Sequence, residues 1–165
     1  GQTPIFWSND HMKGIKLDQY DRAILRHMQR DASLTQRDLA SLVHLSQNAC
    51  WRRLQNLKAA GLIKGSTILM DRDDLGFGLV VFVMLRTRHH SAEWLEKFRA
   101  HVSTIPEVID FFRIGGDYDY FLKVVTQDMS SYDDVYQRLI SKVELDSVTS
   151  YFAMEAIEEQ RPLPI

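Results

Sequence analysis

The amino-acid sequence predicts an α+β fold in two units, three helices closed by a short β-hairpin and then a βαββαβ unit. Three observations carry this expectation. Residues 35–61, TQRDLASLVHLSQNACWRRLQNLKAAG, hold two short stretches of helical apolar spacing with a turn between them. Residues 79–157 alternate strand-like apolar runs with longer amphipathic ones. Between the two, Asp71–Gly78 gathers three aspartates and two glycines, the composition of a hinge or linker.

Taken in order, residues 1–14 (GQTPIFWSNDHMKG) show no periodicity, and His11-Met12 resembles a cloning junction. They read as a disordered arm or cloning remnant, with a natural start near Met12; a native N-terminal arm is the alternative. A first helix is expected from Asp18, its cap, to Arg30, with Leu17, Ile24, Leu25 and Met28 on its buried side. In the next helix Leu39, Ala40 and Val43 form an apolar face, with Leu42 beside it. Leu45 plugs the turn, Ser46 caps a third helix, and Cys50, Leu54 and Leu57 recur at i, i+4 and i+7 until Gly61 ends it. Leu62-Ile63 and Ile68–Met70, around a Gly-containing turn, read as a hairpin wing. The expected reading head spans 15–70, and the hinge 71–78.

The second unit, 79–160, is expected to run strand Leu79–Arg88, helix Ser91–Ile105 stopped by Pro106, strands Val108–Ile114 and Tyr120–Thr126, helix Ser130–Val143, and closing strand Val148–Ile157. Residues 161–165 are left as a tail. The order βαββαβ is that of a ferredoxin-like sandwich, two helices on one four-stranded sheet. The other sheet face carries large apolar side chains, so the unit is expected to dimerise through it.

An apolar fraction of 45% argues against disorder, and no apolar run reaches membrane-spanning length. The segment at the front lacks a signal-peptide layout, and a single cysteine fits a reducing compartment; a cytoplasmic protein is expected. The net charge of −2 hides an asymmetry. Residues 1–65 carry ten Lys/Arg against five Asp/Glu, and residues 66–165 ten against seventeen. A basic front joined to an acidic back fits a polyanion-binding module attached to a unit that stays off nucleic acid.

The third helix buries one stripe and turns Gln47, Asn48, Ala49, Arg52, Arg53 and Gln55 outward, with Lys58 a further cation. Amides and guanidiniums near a helix N-terminus are the chemistry that reads base edges and grips phosphates, so double-stranded DNA is the expected partner of a winged helix-turn-helix. The competing reading is a helical hairpin with solvated arginines. Cys50, in phase with Leu54 and Leu57, reads as a packed thiol rather than a redox switch. Asp117 and Asp119 could suggest acid–base chemistry or a metal, and His89-His90 a metal, but no complete ligand set or nucleophile–base pair accompanies them. No catalytic residue, metal or cofactor is therefore expected. A small amino-acid-binding enzyme or a protein-assembly module remains the alternative class.

LDQYDRAIL (17–25), LSQNACWRRLQNLKAAGLIKG (45–65), GGDYDY (115–120) with FLKV after it, DMSSYDDVY (128–136) and TSYFAMEAI (149–157), in this order, resemble the Lrp/AsnC family, the feast/famine regulators of bacteria and archaea. The resemblance implies a transcriptional regulator, nucleoid-associated, that binds DNA as a homodimer, often assembled further to an octamer, and senses a free amino acid. It also implies an effector site at the turn: Gly115 and Gly116 allow close backbone approach, Asp117, Tyr118 and Asp119 follow, and Thr149 and Ser150 are candidate hydroxyl contacts. A narrower likeness, carried by HHSAEW (89–94), IPEV (105–108), FFRIGGDYDY and SYFAME, is to a cysteine-responsive branch, which favours L-cysteine as effector, with branched-chain amino acids next. Two departures stand out. Val43-His44-Leu45 occupies a turn that often reads Val-Gly-Leu, and Gln47-Asn48-Ala49 opens the third helix where Pro-Thr-Pro is common.

Overall fold

The computed structural model describes residues 16–165; the expectations for residues 1–14 lie outside the described residues. The chain forms two compact units, a head that runs through Ile68 and regains Glu158–Ile165, and a second unit, Leu69–Ile157.

In the head, α1 (Gln19–Arg30) starts at a capping box: Asp18 accepts from the Asp21 backbone N–H at 2.9 Å, and Asp21 accepts from that of Asp18 at 3.2 Å. α2 (Gln36–Leu42) and α3 (Gln47–Ala59) are capped by Thr35 and Ser46. Ile24, Leu39, Ala40, Val43, Cys50, Leu54 and Leu57 form the core, with Leu17, Leu25, Met28, Leu45 and Ile63 packed around it. Leu42, by contrast, is exposed. Both ends of the motif close in the same way. At Gly61 (φ +79°) the Leu62 N–H reaches Leu57 O and the Gly61 N–H reaches Lys58 O. At His44 (φ +58°) the Leu45 N–H reaches Ala40 O and the His44 N–H reaches Ser41 O. Each is a paired 6→1 and 5→2 closure around a left-handed residue, and the turn between α2 and α3 makes it with histidine in the place glycine fills most easily.

The expected hairpin wing does not form a ladder. Residues 62–70 are irregular, and Ile68, Leu69 and Met70 are exposed. Two runs of two or three residues make too few cross-strand bonds to stand as a ribbon without a third strand. Residues 158–165 return to the head. The Gln29 side-chain amide donates to Leu163 O at 3.2 Å and accepts from Leu163 N–H at 2.7 Å, and Arg26 Nε donates to Ile165 O.

The second unit is β1 (Leu79–Arg86), α4 (Ala92–Ser103), β2 (Val108–Arg113), β3 (Tyr120–Thr126), α5 (Met129–Ile140) and β4 (Ser147–Phe152). The sheet is antiparallel throughout, in the order β2-β3-β1-β4. Val81, Val83 and Leu85 alternate inward with Leu122 and Val124, and meet Phe98 and Val102 of α4 and Val135 and Leu139 of α5. Phe98 is fully buried, its ring 4.9 Å from both Trp94 and Tyr120; truncating it to alanine would cost about 3–5 kcal/mol. Asp71–Gly78 is a tight turn: Phe77 N–H reaches Arg72 O at 2.7 Å, and Gly76 N–H reaches Asp73 O at 2.9 Å.

The closing strand is shorter than expected, ending at Phe152 rather than Ile157. In register β4 ends opposite Val81 of β1, and one further backbone bond, from Ala153 N–H to Val80 O, follows. Met154 and Ile157 beyond it are 98% and 84% exposed. On the sheet face away from the helices Phe82 stacks on Phe121 at 5.7 Å, beside exposed Phe112 and Tyr151.

Candidate functional site

The first site is the outer face of α3. With Cys50, Leu54 and Leu57 buried, Gln47, Asn48, Arg52 and Lys58 are exposed, and Ala49 and Gln55 are partly covered. Ser46 Oγ accepts from Ala49 N–H at 3.2 Å, so the helix begins with its free N–H groups and the Gln47 and Asn48 amides at the same end. That combination suits phosphate contact beside base-edge readout. A groove of about 560 Å³ lies against this helix, and Lys16, Ala49, Arg52, Arg53 and Asn56 are among the residues that line it.

Arg53 is placed differently from the other candidates. Its Nη1 lies 2.6 Å from Asp18 Oδ2 and 3.2 Å from Asp21 Oδ1, and its guanidinium sits 5.2 Å from the Tyr20 ring centroid. The bond to Asp18, and then that to Asp21, hold the guanidinium pKa above its ordinary value. Arg53 therefore ties α3 to the start of α1.

Sequence reasoning missed Lys16, Asn56 and Trp51. Trp51 is 46% exposed and four residues from both Gln47 and Gln55. Its signal was available: an indole out of phase with the buried stripe of a short helix has nothing to pack on. Cys50 is packed as expected, and burial pushes its thiol pKa up.

The second site is the turn between β2 and β3. Gly116 takes φ +126°, a conformation glycine adopts freely, and no atom lies within 4 Å of a Cβ added at Gly115 or Gly116. Arg86 holds the turn from β1: its Nε donates to Asp117 O at 2.8 Å and its guanidinium lies 5.1 Å from the Tyr118 ring centroid. Tyr118 Oη and Thr149 Oγ1 are 3.3 Å apart. Asp119 has one carboxylate oxygen committed to the Thr87 N–H at 2.8 Å, whereas Asp117 is exposed.

Thr149 and Ser150 do not act together. Thr149 pairs with Met84 and Ser150 with Val83, so they occupy opposite sheet faces, and Ser150 Oγ is hydrogen-bonded to Tyr132 Oη on the helical side. Arg86 was not foreseen; an arginine ending an apolar strand carries no local mark of the turn it grips.

His89 stacks on Trp94 at 6.0 Å and lies 3.3 Å from Glu144. Among the described residues no group of three or more His, Cys, Asp or Glu could hold a metal ion. Likewise, no helix among them is long and apolar enough to cross a membrane.

Two family models divide the chain between them. A winged helix-turn-helix DNA-binding model matches residues 17–64, and an Lrp/AsnC ligand binding domain model matches residues 80–163. The chain belongs to the Lrp/AsnC family. It is 43% identical over 150 residues to the glutamate uptake regulatory protein of Zymomonas mobilis, covering 91% of this chain and 92% of that one. Identity to the DNA-binding transcriptional activator DecR of Escherichia coli is also 43% over 150 residues, 90% of this chain and 99% of that one. Among solved structures, an AsnC family transcriptional regulator from Agrobacterium tumefaciens superposes with a TM-score of 0.87 at 44% identity, covering 90% of this chain and 97% of that one. A transcriptional regulator from Neisseria meningitidis in complex with L-Met gives 0.85 at 31%, with the same coverage. This Lrp/AsnC protein is a DNA-binding transcriptional regulator with a ligand-binding domain.

Proposed function

We propose that this regulator binds operator DNA as a homodimer, that α3 supplies the reading surface, and that a free amino acid held at the Gly115–Asp119 turn changes its assembly or its grip on DNA. The observation that carries the effector site is the turn itself. Gly116 leaves its backbone open, Arg86 fixes its position, and it offers exposed Asp117 beside the Tyr118–Thr149 pair. A carboxylate for an ammonium group and free backbone groups for a carboxylate are what an amino acid requires. Supporting this, the Neisseria relative was solved with L-Met.

L-Cysteine is the first candidate, on the likeness to the cysteine-responsive branch, and branched-chain amino acids come next. The dimer rests on the second sheet face, where Phe82, Phe112, Phe121 and Tyr151 gather away from the helices, and octamers follow by family likeness. Two reading heads would meet half-sites one or more helical turns apart. A regulator working on DNA acts in the cytoplasm, with the nucleoid.

A thermal-shift panel of all twenty amino acids, in reducing buffer without DNA, tests the reading. A ligand at about 100 times its Kd stabilises by about 2.7 kcal/mol, a melting shift of a few degrees. One strong hit names the effector. No shift from any of the twenty would remove the amino-acid part of the proposal and leave the DNA-binding part to salt-dependent operator binding.

A further inference from the structure

Two arginines of the second unit face one cleft. Arg113, the last residue of β2, is paired with Tyr120, and Phe111 two residues earlier with Leu122. Directly paired residues, and residues two apart on a strand, share a face. Arg113 therefore lies on the helix-covered side of the sheet, at the end of an otherwise apolar row. Arg99 and Ser103, one turn apart on α4, stand across from it. Together with Phe111 and Tyr120 they line a cleft of about 290 Å³.

No carboxylate lines the cleft beside the two charges. Among the described residues neither Arg99 nor Arg113 is ion-paired. The neighbouring acids are engaged or turned away: Glu107 with Arg138 at 2.5 Å, Asp119 with the Thr87 N–H, and Asp110 opposite Lys123 on the other sheet face. Glu96, one turn before Arg99, does not line the cleft. Burial raises the Tyr120 pKa, Arg113 and Arg99 act on the phenol in the opposite sense, and Asp119 acts with burial. Like charges turned into one cleft repel each other, and an entering anion relieves that repulsion while taking charge-assisted hydrogen bonds from both.

We propose that this cleft is a second small-molecule site, separate from the amino-acid turn, for a compact metabolite bearing a carboxylate or phosphate group held between Arg99 and Arg113. Ser103 and Tyr120 supply hydroxyls to the same ligand, and Phe111 an apolar wall. The volume is at the lower limit for ligand pockets and suits a small acid rather than a nucleotide. Arg113 and Tyr120 also flank the effector turn.

Calorimetric titration of the full chain with inorganic phosphate, and separately with glutarate, in low-salt buffer tests this. Saturable binding of one anion per chain is expected, weakened about tenfold or more in Arg113→Gln and in Arg99→Gln, and retained in Asp117→Ala. Whichever probe binds more tightly identifies the phosphate or the carboxylate class. Melting curves without probe should match wild type in both glutamine variants, because both side chains are exposed. Absence of saturable binding by either probe, or equal affinity in the Arg99→Gln/Arg113→Gln double variant, would overturn the proposal. Loss of binding in Asp117→Ala as well would merge this cleft with the amino-acid site.

Discussion

Arg53 Nη1 is 2.6 Å from Asp18 Oδ2, so a cation of the reading helix is spent inside the head, holding the start of α1. Its neighbour Arg52 lines the same groove but is exposed, whereas Arg53 is partly covered. Single substitutions should separate the two roles. Arg52→Ala should weaken operator binding and lower the salt slope by about 1, with little change in melting temperature. Arg53→Ala should lower the melting temperature by a few degrees, as expected for a partly exposed charge network, and leave the slope near wild type. A slope reduced equally by both would put Arg53 on the phosphates.

The same pair gives the head an acid-sensitive joint. Donation from the Asp21 N–H, followed by the bond from Arg53, holds the Asp18 carboxyl below its ordinary range. A lowered folded pKa means stability present in full above the unfolded value, about 3.9, and lost as pH falls through the folded value. Asp18→Asn keeps a capping oxygen and removes the charge. The variant should melt below wild type at pH 7, and the gap should close between about pH 5 and pH 2. A gap that stayed constant over that range would mean that the charge contributes nothing.

His44 sits at φ +58° in the turn between α2 and α3. A left-handed conformation costs an L-residue about 1–2 kcal/mol, and glycine avoids it at the expense of some unfolded-chain entropy. His44→Gly should stabilise the head by about 1 kcal/mol in chemical denaturation, with operator affinity within a few-fold of wild type. Destabilisation would show that the imidazole makes a contact of its own.

At the effector turn Asp117 is exposed, while Asp119 is partly committed to Thr87. Asp117→Ala should abolish the amino-acid response and leave effector-free DNA binding within a few-fold of wild type. Asp119→Ala should also lower the melting temperature, because it frees a backbone N–H that the turn relies on. Equal loss of response and of basal DNA binding in Asp117→Ala would displace the site.

Gln29 holds the backbone of Leu163 with both ends of its amide. Gln29→Ala should speed hydrogen exchange at the Leu163 amide and lower head stability by about 1 kcal/mol, the worth of the hydrogen bonds lost. Unchanged exchange would mean that the tail is held by other contacts.

The sequence by itself determined the elements and their order. Asp18, Ser46 and Gly61 announced helix ends, and Cys50, Leu54 and Leu57 announced a buried stripe. The βαββαβ order followed from alternating periods. These signals are legible because caps act within one turn, and a buried face repeats every two or every 3.6 residues. The outward side of α3 and the glycine turn could be read for the same reason. Tertiary structure alone decided which side chains meet. Arg53 found Asp18 across 35 residues, Ser150 turned to Tyr132 while Thr149 met Tyr118, β4 stopped opposite Val81, and residues 158–165 settled on α1. Each depends on strand register or on which helix lies alongside, and those distances are set by burial of the whole core, not by the spacing of neighbours along the chain.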